Sequence, residues 1–293
     1  MTARLAGLGC ALVAAAALLA YPSDDDDRPE PPPPATVTTA WPGAQRADLP
    51  GALPDGTTFH PETFLDARTA IGTAPTPDGA HVRLLLRTGT VRELRRLPAA
   101  GNPEFGTVTV AGDAVYWTES VDGGKGTLWT ATVSGAGVRL LTRDTGDTIF
   151  AGAATDLVVA GGRVWWVAAA GPDVTEVRSA PVRGSARAAV REVPGAWTLA
   201  AWPWLTDGAG RLTNLETGRE QRVDSTNTEQ VVCSPAWCRV LVLTSAGLAR
   251  IDAMRPDRTS RRRIAGAQAR AAINDVAVLD RFELLSEPGP NSD

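Results

Sequence analysis

Imidazoles, thiols and clustered carboxylates are what this chain would need for chemistry, and it supplies few of them. Its histidines number two, His60 and His81, and His81 follows a Pro77-Asp78-Gly79 turn, where shaping a hairpin is the expected role. No G-x-S-x-G, H-E-x-x-H or Walker pattern occurs. The best cation candidate is RDTGDT at 143 to 148, in which Asp144 and Asp147 flank Gly146. Calcium needs several more oxygens than these two carboxylates offer, so the loop reads as a solvated turn. No catalytic residue, metal ligand or cofactor is assigned.

Three other groupings have chemical potential. AWPWL at 201 to 205 places Trp202 and Trp204 on one expected strand face around Pro203, which suits either stacking on a sugar ring or packing between sheets. MRPDRTSRRR at 254 to 263 is basic enough to attract an anionic surface, although charge on a hairpin and outer strand also protects a sheet edge. Cys233 and Cys238 flank a four-residue SPAW turn. Once Cys10 is set aside in the N-terminal apolar run, these two are expected to pair in an oxidising compartment. Cys10 follows Gly9 but lies near the start of that run, which is the wrong end for a lipid-modified cysteine.

The elements that must position these residues are strands. GGRVWWVAAA at 161 to 170 sets Trp165 beside Trp166, and neighbouring residues in a strand point to opposite faces. Both faces of that strand must therefore be covered. Nine tryptophans, frequent glycine and proline, and no helical period beyond the N-terminus define an all-β class. From about residue 57 the chain repeats a cadence of short strand, turn, strongly apolar strand, loop, third strand, turn and polar strand. FGTVTVAGDAVYWTES with GTLWTATVSGAG and VRLLTRD is the clearest copy, and TDLVVAGGRVWWVAAA opens another. The spacing of about 30 to 50 residues fits four-stranded propeller blades. Five fuller units and one shared unit give six blades, with five and seven left open. FHPETFLDA is expected to complete the blade that holds DVAVLDRFELLS.

The ends of the chain are read separately. MTAR followed by the uncharged run Leu5 to Tyr21 and an acidic block, Asp24 to Asp27, marks residues 1 to 21 as a signal peptide or a helical membrane anchor. Residues 22 to 56 are acidic, then proline-rich, and read as a disordered stalk containing Trp41. Residues 57 to 286 form the propeller and 287 to 293 a flexible tail.

TPDGAHVRL at 76 to 84 resembles the S/T-P-D-G-x-x-hydrophobic motif of TolB-like β-propeller repeats, and CSPAWCRVLV at 233 to 242 is similar to a divergent copy, with Ala236 and Trp237 in place of Asp and Gly. The whole domain resembles secreted TolB-like propellers of high-G+C bacteria. That resemblance implies a β-propeller outside the cytoplasm used for protein contacts.

The formal charge of -4 argues against nucleic acid as a partner, and arginine is the basic residue everywhere except Lys125. The expected function is a non-catalytic, extracytoplasmic, monomeric binding module for a protein or an envelope component, either tethered to the membrane by residues 5 to 21 or secreted. The alternative is an enzyme of lyase, lactonase or glycosidase type with a site in the central channel. Short turns (PDG, AGD, AGG, and SGAG, VRG, ETG) are expected on one face. Longer connections (TESVDGGKG, TRDTGDTIFAGA, AAGPDV and VDSTNTEQ) are expected to gather on the other, where Asp122, Lys125, Asp144, Asp147 and Asp173 would form a polar, partner-binding rim.

Overall fold

Trp165 and Trp166 do part to opposite faces. In the computed structural model, which describes residues 42 to 184, 187 to 277 and 283 to 286, Trp166 packs with Tyr116, Leu128 and Leu157 on one side of its sheet, and Trp165 packs with Val177, Leu205 and Trp202 on the other. The expected membrane segment, the stalk as far as residue 41 and the tail from 287 lie outside the described residues.

The described residues form β-strands, turns and loops, with no helix among them. Sheet one orders β1 (His60–Asp66), β2 (Thr69–Pro75), β3 (His81–Arg87) and β4 (Val91–Pro98); sheet two orders β5 (Glu104–Ala111), β6 (Ala114–Ser120), β7 (Thr127–Thr132) and β8 (Arg139–Thr142). A two-residue strand, β9 (Asp147–Thr148), pairs with the far end of β11 beside β10 in sheet three, which orders β10 (Val158–Ala160), β11 (Arg163–Gly171), β12 (Val174–Pro181) and β13 (Ala189–Pro194). Sheet four is β14 (Thr198–Ala201), β15 (Trp204–Thr206), β16 (Arg211–Asn214) and β17 (Glu220–Arg222). Sheet five is β18 (Glu229–Cys233), β19 (Cys238–Thr244), β20 (Gly247–Met254) and β21 (Arg262–Gly266), and a two-stranded sheet pairs β22 (Arg270–Ala271) with β23 (Leu285–Ser286). Among the described residues all pairings are antiparallel, and all join neighbours in sequence apart from β9 with β11. Glycine makes the tightest link. Gly161 and Gly162, at φ 56° and 71°, close the hairpin from Ala160 to Arg163, a two-residue turn that requires positive φ at both positions.

Each junction between successive sheets has its own apolar core. Ile71, Leu84 and Leu94 of sheet one meet Val115 and Trp117 of sheet two. Tyr116 and Leu128 of sheet two meet Val164 and Trp166 of sheet three. Sheets three and four share the Trp165 cluster, sheets four and five join through Leu212, Val231 and Met254, and Ile251 and Ala265 of sheet five pack with Leu285 of the last pair. Face-to-face sheets with a core at every junction are the packing of propeller blades.

FHPETFLDA supplies the first strand of sheet one, since β1 pairs with β2 in the register His60 with Thr73 through Asp66 with Thr69; residues 278 to 282 of the C-terminal run expected to share its blade lie outside the described residues. Two expectations about organisation are corrected. Residues 47 to 56 belong with the domain and not with a stalk. The compact unit begins at Ala47, Leu53 and Phe59 are buried against Ala70 and Leu85, and the Arg87 guanidinium holds the Pro50 and Ala52 carbonyls. The PDG turn is also misplaced by the cadence. It joins β2 to β3, whereas AGD, AGG and SPAW join first strands to second, and in a meander successive turns fall at opposite ends. The turn itself is well built: Thr76 Oγ1 donates to Asp78 Oδ1 at 2.5 Å and accepts from the His81 amide at 3.0 Å.

The disulfide forms as expected. Cys233 and Cys238 are directly opposed across β18 and β19, with an S–S length of 2.03 Å and a Cα separation of 4.0 Å, slightly below the common span for disulfides. Trp166→Ala should lower unfolding free energy by about 3 to 5 kcal/mol in urea titrations, since it empties a junction from one side only. Cys233→Ser with Cys238→Ser should cost less than about 3 kcal/mol, the value for a much longer 15-residue loop, and thiol labelling of the native protein should modify neither Cys233 nor Cys238.

Candidate functional site

The strands of sheet four are only three or four residues long, whereas β11 and β12 opposite them run to nine and eight. Sheet four therefore cannot cover the whole face of sheet three. The uncovered part forms a cleft of about 340 Å³ lined by Trp165, Trp202, Arg163, Arg191, Ser179 and Glu216, among others. That volume lies within the range of small-ligand sites, about 300 to 1,000 Å³.

Two half-buried indoles form its wall. Trp165 on β11 and Trp202 in the turn after β14 stack with centroids 4.1 Å apart and planes inclined by 32°. The Trp165 Nε1 donates to the Ala160 carbonyl at 3.0 Å, which fixes the ring. Arg163 donates to Ser179 Oγ and to the Ser179 carbonyl, both at 2.9 Å, and Arg191 donates to the Leu215 carbonyl at 2.7 Å. The Ser179 hydroxyl that lines the cleft already accepts from Arg163. The expected shared face for Trp202 and Trp204 is not found. Trp202 and Pro203 form the turn between β14 and β15, and Trp202 packs at the sheet three junction while Trp204 packs at the junction with sheet five.

The five expected rim residues lie on second connections or on links between sheets. Asp122 and Lys125 stand exposed in the β6–β7 loop, with the Asp122 amide donating to the Gly101 carbonyl at 2.7 Å. Asp173 is exposed, and AAGPDV proves to be a tight turn, since only Pro172 and Asp173 separate β11 from β12. Asp147 is exposed but begins β9, opposite Ala169. Asp144 is different, because its Oδ1 accepts from Arg178 at 2.9 Å and its Oδ2 from Arg187 at 3.3 Å. Among the described residues, no hydrogen bond or ion pair joins any of these five side chains to another.

The 143 to 148 loop is accordingly not a free solvated turn. Arg178, itself buried, also donates to Glu176 at 2.6 Å, and Thr145 Oγ1 donates to the Gly126 carbonyl at 2.7 Å. A Cβ at Gly146, where φ is 73°, would stand 2.5 Å from Arg178 Nε. Glycine is required there by both the backbone and the guanidinium. Among the described residues no group of three or more His, Cys, Asp or Glu is arranged to hold a metal ion.

The chain matches no protein-family model and no curated protein sequence. Solved structures to which it is similar include TolB from Acinetobacter baumannii, at 15% identity and a TM-score of 0.40 over 68% of this chain and 52% of that one. A Mycobacterium tuberculosis puromycin-hydrolyzing peptidase is similar at 17% identity and a TM-score of 0.46 over 78% of this chain and 43% of the peptidase. The chain thus spans about half of these proteins or less. Likeness at this level carries no functional weight, and the architecture rests on strand pairing and the junction cores.

Burial pushes the Asp144 carboxyl up, but Arg178 and Arg187 outweigh it and hold the pKa below the ordinary value. A lowered folded pKa stabilises the fold at pH values above the unfolded pKa of about 3.9, and that stabilisation is lost as pH falls through the folded value. Asp144→Asn should therefore unfold more easily than wild type at neutral pH. The difference should vanish in acid, as read from thermal melts between neutrality and pH about 2 to 3.

Proposed function

We propose that this chain is a six-bladed propeller, the last blade built on β22 and β23, that acts outside the cytoplasm as a non-catalytic binding module for a protein or an envelope component. The observation that carries the reading is a stiff stack of sheets that presents unpaired charge on its connections. Asp122, Lys125, Asp147 and Asp173 are all exposed and make no ion pair among the described residues. Asp144 supports this rim by bracing its loop and does not face a partner directly. The disulfide supports an oxidising compartment, and the apolar run Leu5 to Tyr21 supports tethering or secretion.

The enzyme reading draws on a different observation. Asp156 is buried, and desolvation pushes its carboxyl up even though it accepts the Ala151 and Ala153 amides at 2.8 and 3.0 Å. A buried carboxyl with a raised pKa is a candidate acid. Its two amide bonds also explain it as the brace of the loop entering sheet three.

Crosslinking in the native envelope should capture a partner, and reversing charge at Asp122, Asp147 and Asp173 together should reduce capture while leaving stability within about 0.5 kcal/mol per site. Unchanged capture would remove the rim from the reading. Substrate turnover that disappears in Asp156→Asn would replace binding with catalysis.

A further inference from the structure

The end of sheet five that carries its first and third turns collects one indole and several guanidiniums. Trp237 is half-buried in the turn between β18 and β19, where it donates its amide to Ser234 Oγ at 3.2 Å, and the disulfide clamps the base of that turn. Arg255 lies over the indole with its guanidinium carbon 4.0 Å from a ring centroid, and Arg262 lies at 5.6 Å. Arg258, at φ 66°, stands in the exposed third turn, and Arg263 follows on the outer strand. Arg261 is spent internally on Glu229 and Asp252, at 2.7 and 2.8 Å. The other four arginines have no carboxylate partner among the described residues. Asp257 is the sole carboxylate between residues 255 and 263, and it accepts from Thr259 Oγ1 at 2.6 Å.

Edge protection accounts for charge along β21, but not for Arg255 and Arg258 in the turn, nor for an indole with two guanidiniums close to it. Guanidinium groups bind phosphate oxygens through paired N–H donors, and indoles settle at the headgroup level of a bilayer. The remainder of the protein is acidic enough to bring the formal charge to -4. An anionic surface would therefore repel most of the molecule and attract this end, so one orientation is selected.

We propose that Trp237 with Arg255, Arg258 and Arg262 forms a docking surface for an anionic phospholipid bilayer. It is independent of the partner-binding rim, whose residues lie on sheets two and three and on the links between them. The disulfide contributes by holding the indole ready, so little ordering accompanies contact.

The test reconstitutes the full chain on phosphatidylcholine vesicles with and without about one-third phosphatidylglycerol. Amide exchange in residues 255 to 261 should slow on the anionic vesicles only, by roughly tenfold or more, and return to the free rate at high salt, where screening shortens the reach of the guanidiniums. Arg255→Ser with Arg258→Ser and Arg262→Ser should abolish the slowing while Val240, in β19, keeps its protection. If that variant loses Val240 protection, Arg258→Asn, which suits positive φ, takes its place and should weaken the slowing. Equal exchange on both vesicles overturns the proposal. So does equal slowing by soluble polyphosphate or DNA, which would make the ligand a dissolved polyanion.

Discussion

Strands that must bury both faces impose the architecture. β6 and β11 carry large apolar side chains to either side, so a sheet built around them is soluble only between two others. Tyr116 and Trp117 divide the same way as Trp165 and Trp166, each neighbour serving a different junction. Stacking is then the only way to satisfy every sheet, and the chain supplies the next sheet immediately after the last. In the first sheet, Ala70, Ala74 and Leu85 are covered by Leu49, Leu53 and Phe59.

Charge enters this stack as cross-bracing. Glu119, buried beside the first junction, accepts from Arg95 at 2.8 and 3.1 Å and from the Trp117 indole at 2.9 Å. Arg239 in β19 donates to Glu283 at 2.6 Å and to the Asp275 carbonyl at 2.5 Å. Such groups are tolerable away from water because nearly every donor and acceptor is matched. They specify which sheet meets which, a selection that apolar contact alone leaves loose.

Much of this was legible in the residues. Paired tryptophans revealed burial on both faces, GG and AGD marked the first turns, and the cysteine spacing identified the bridge. The phase of sheet one was not legible, because a TPDG turn has the same local chemistry whether it precedes a second strand or a third. The strap at 47 to 56 was hidden by its prolines, since composition cannot show that Leu53 finds a partner in Ala70 and Leu85. The cleft depends on a difference in strand length between sheets three and four, and strand ends are what periodicity resolves least well. Asp144 read as part of a solvated, partner-facing turn because its arginines lie 34 and 43 residues further along.

The links between the end of the chain and its middle bear on how the protein is made. Asn274 donates to the Ala151 carbonyl, and Asp275 accepts the Ala154 amide at 3.0 Å across 121 residues. During synthesis, sheets one to four can stack in the order they emerge, each leaving its newest apolar face open until the next arrives. The loop at 151 to 156 waits far longer, because its clasp lies 121 residues further along. Until residues 274 and 275 emerge, a ribosome-bound chain is thus a row of stacked sheets with an unfastened middle.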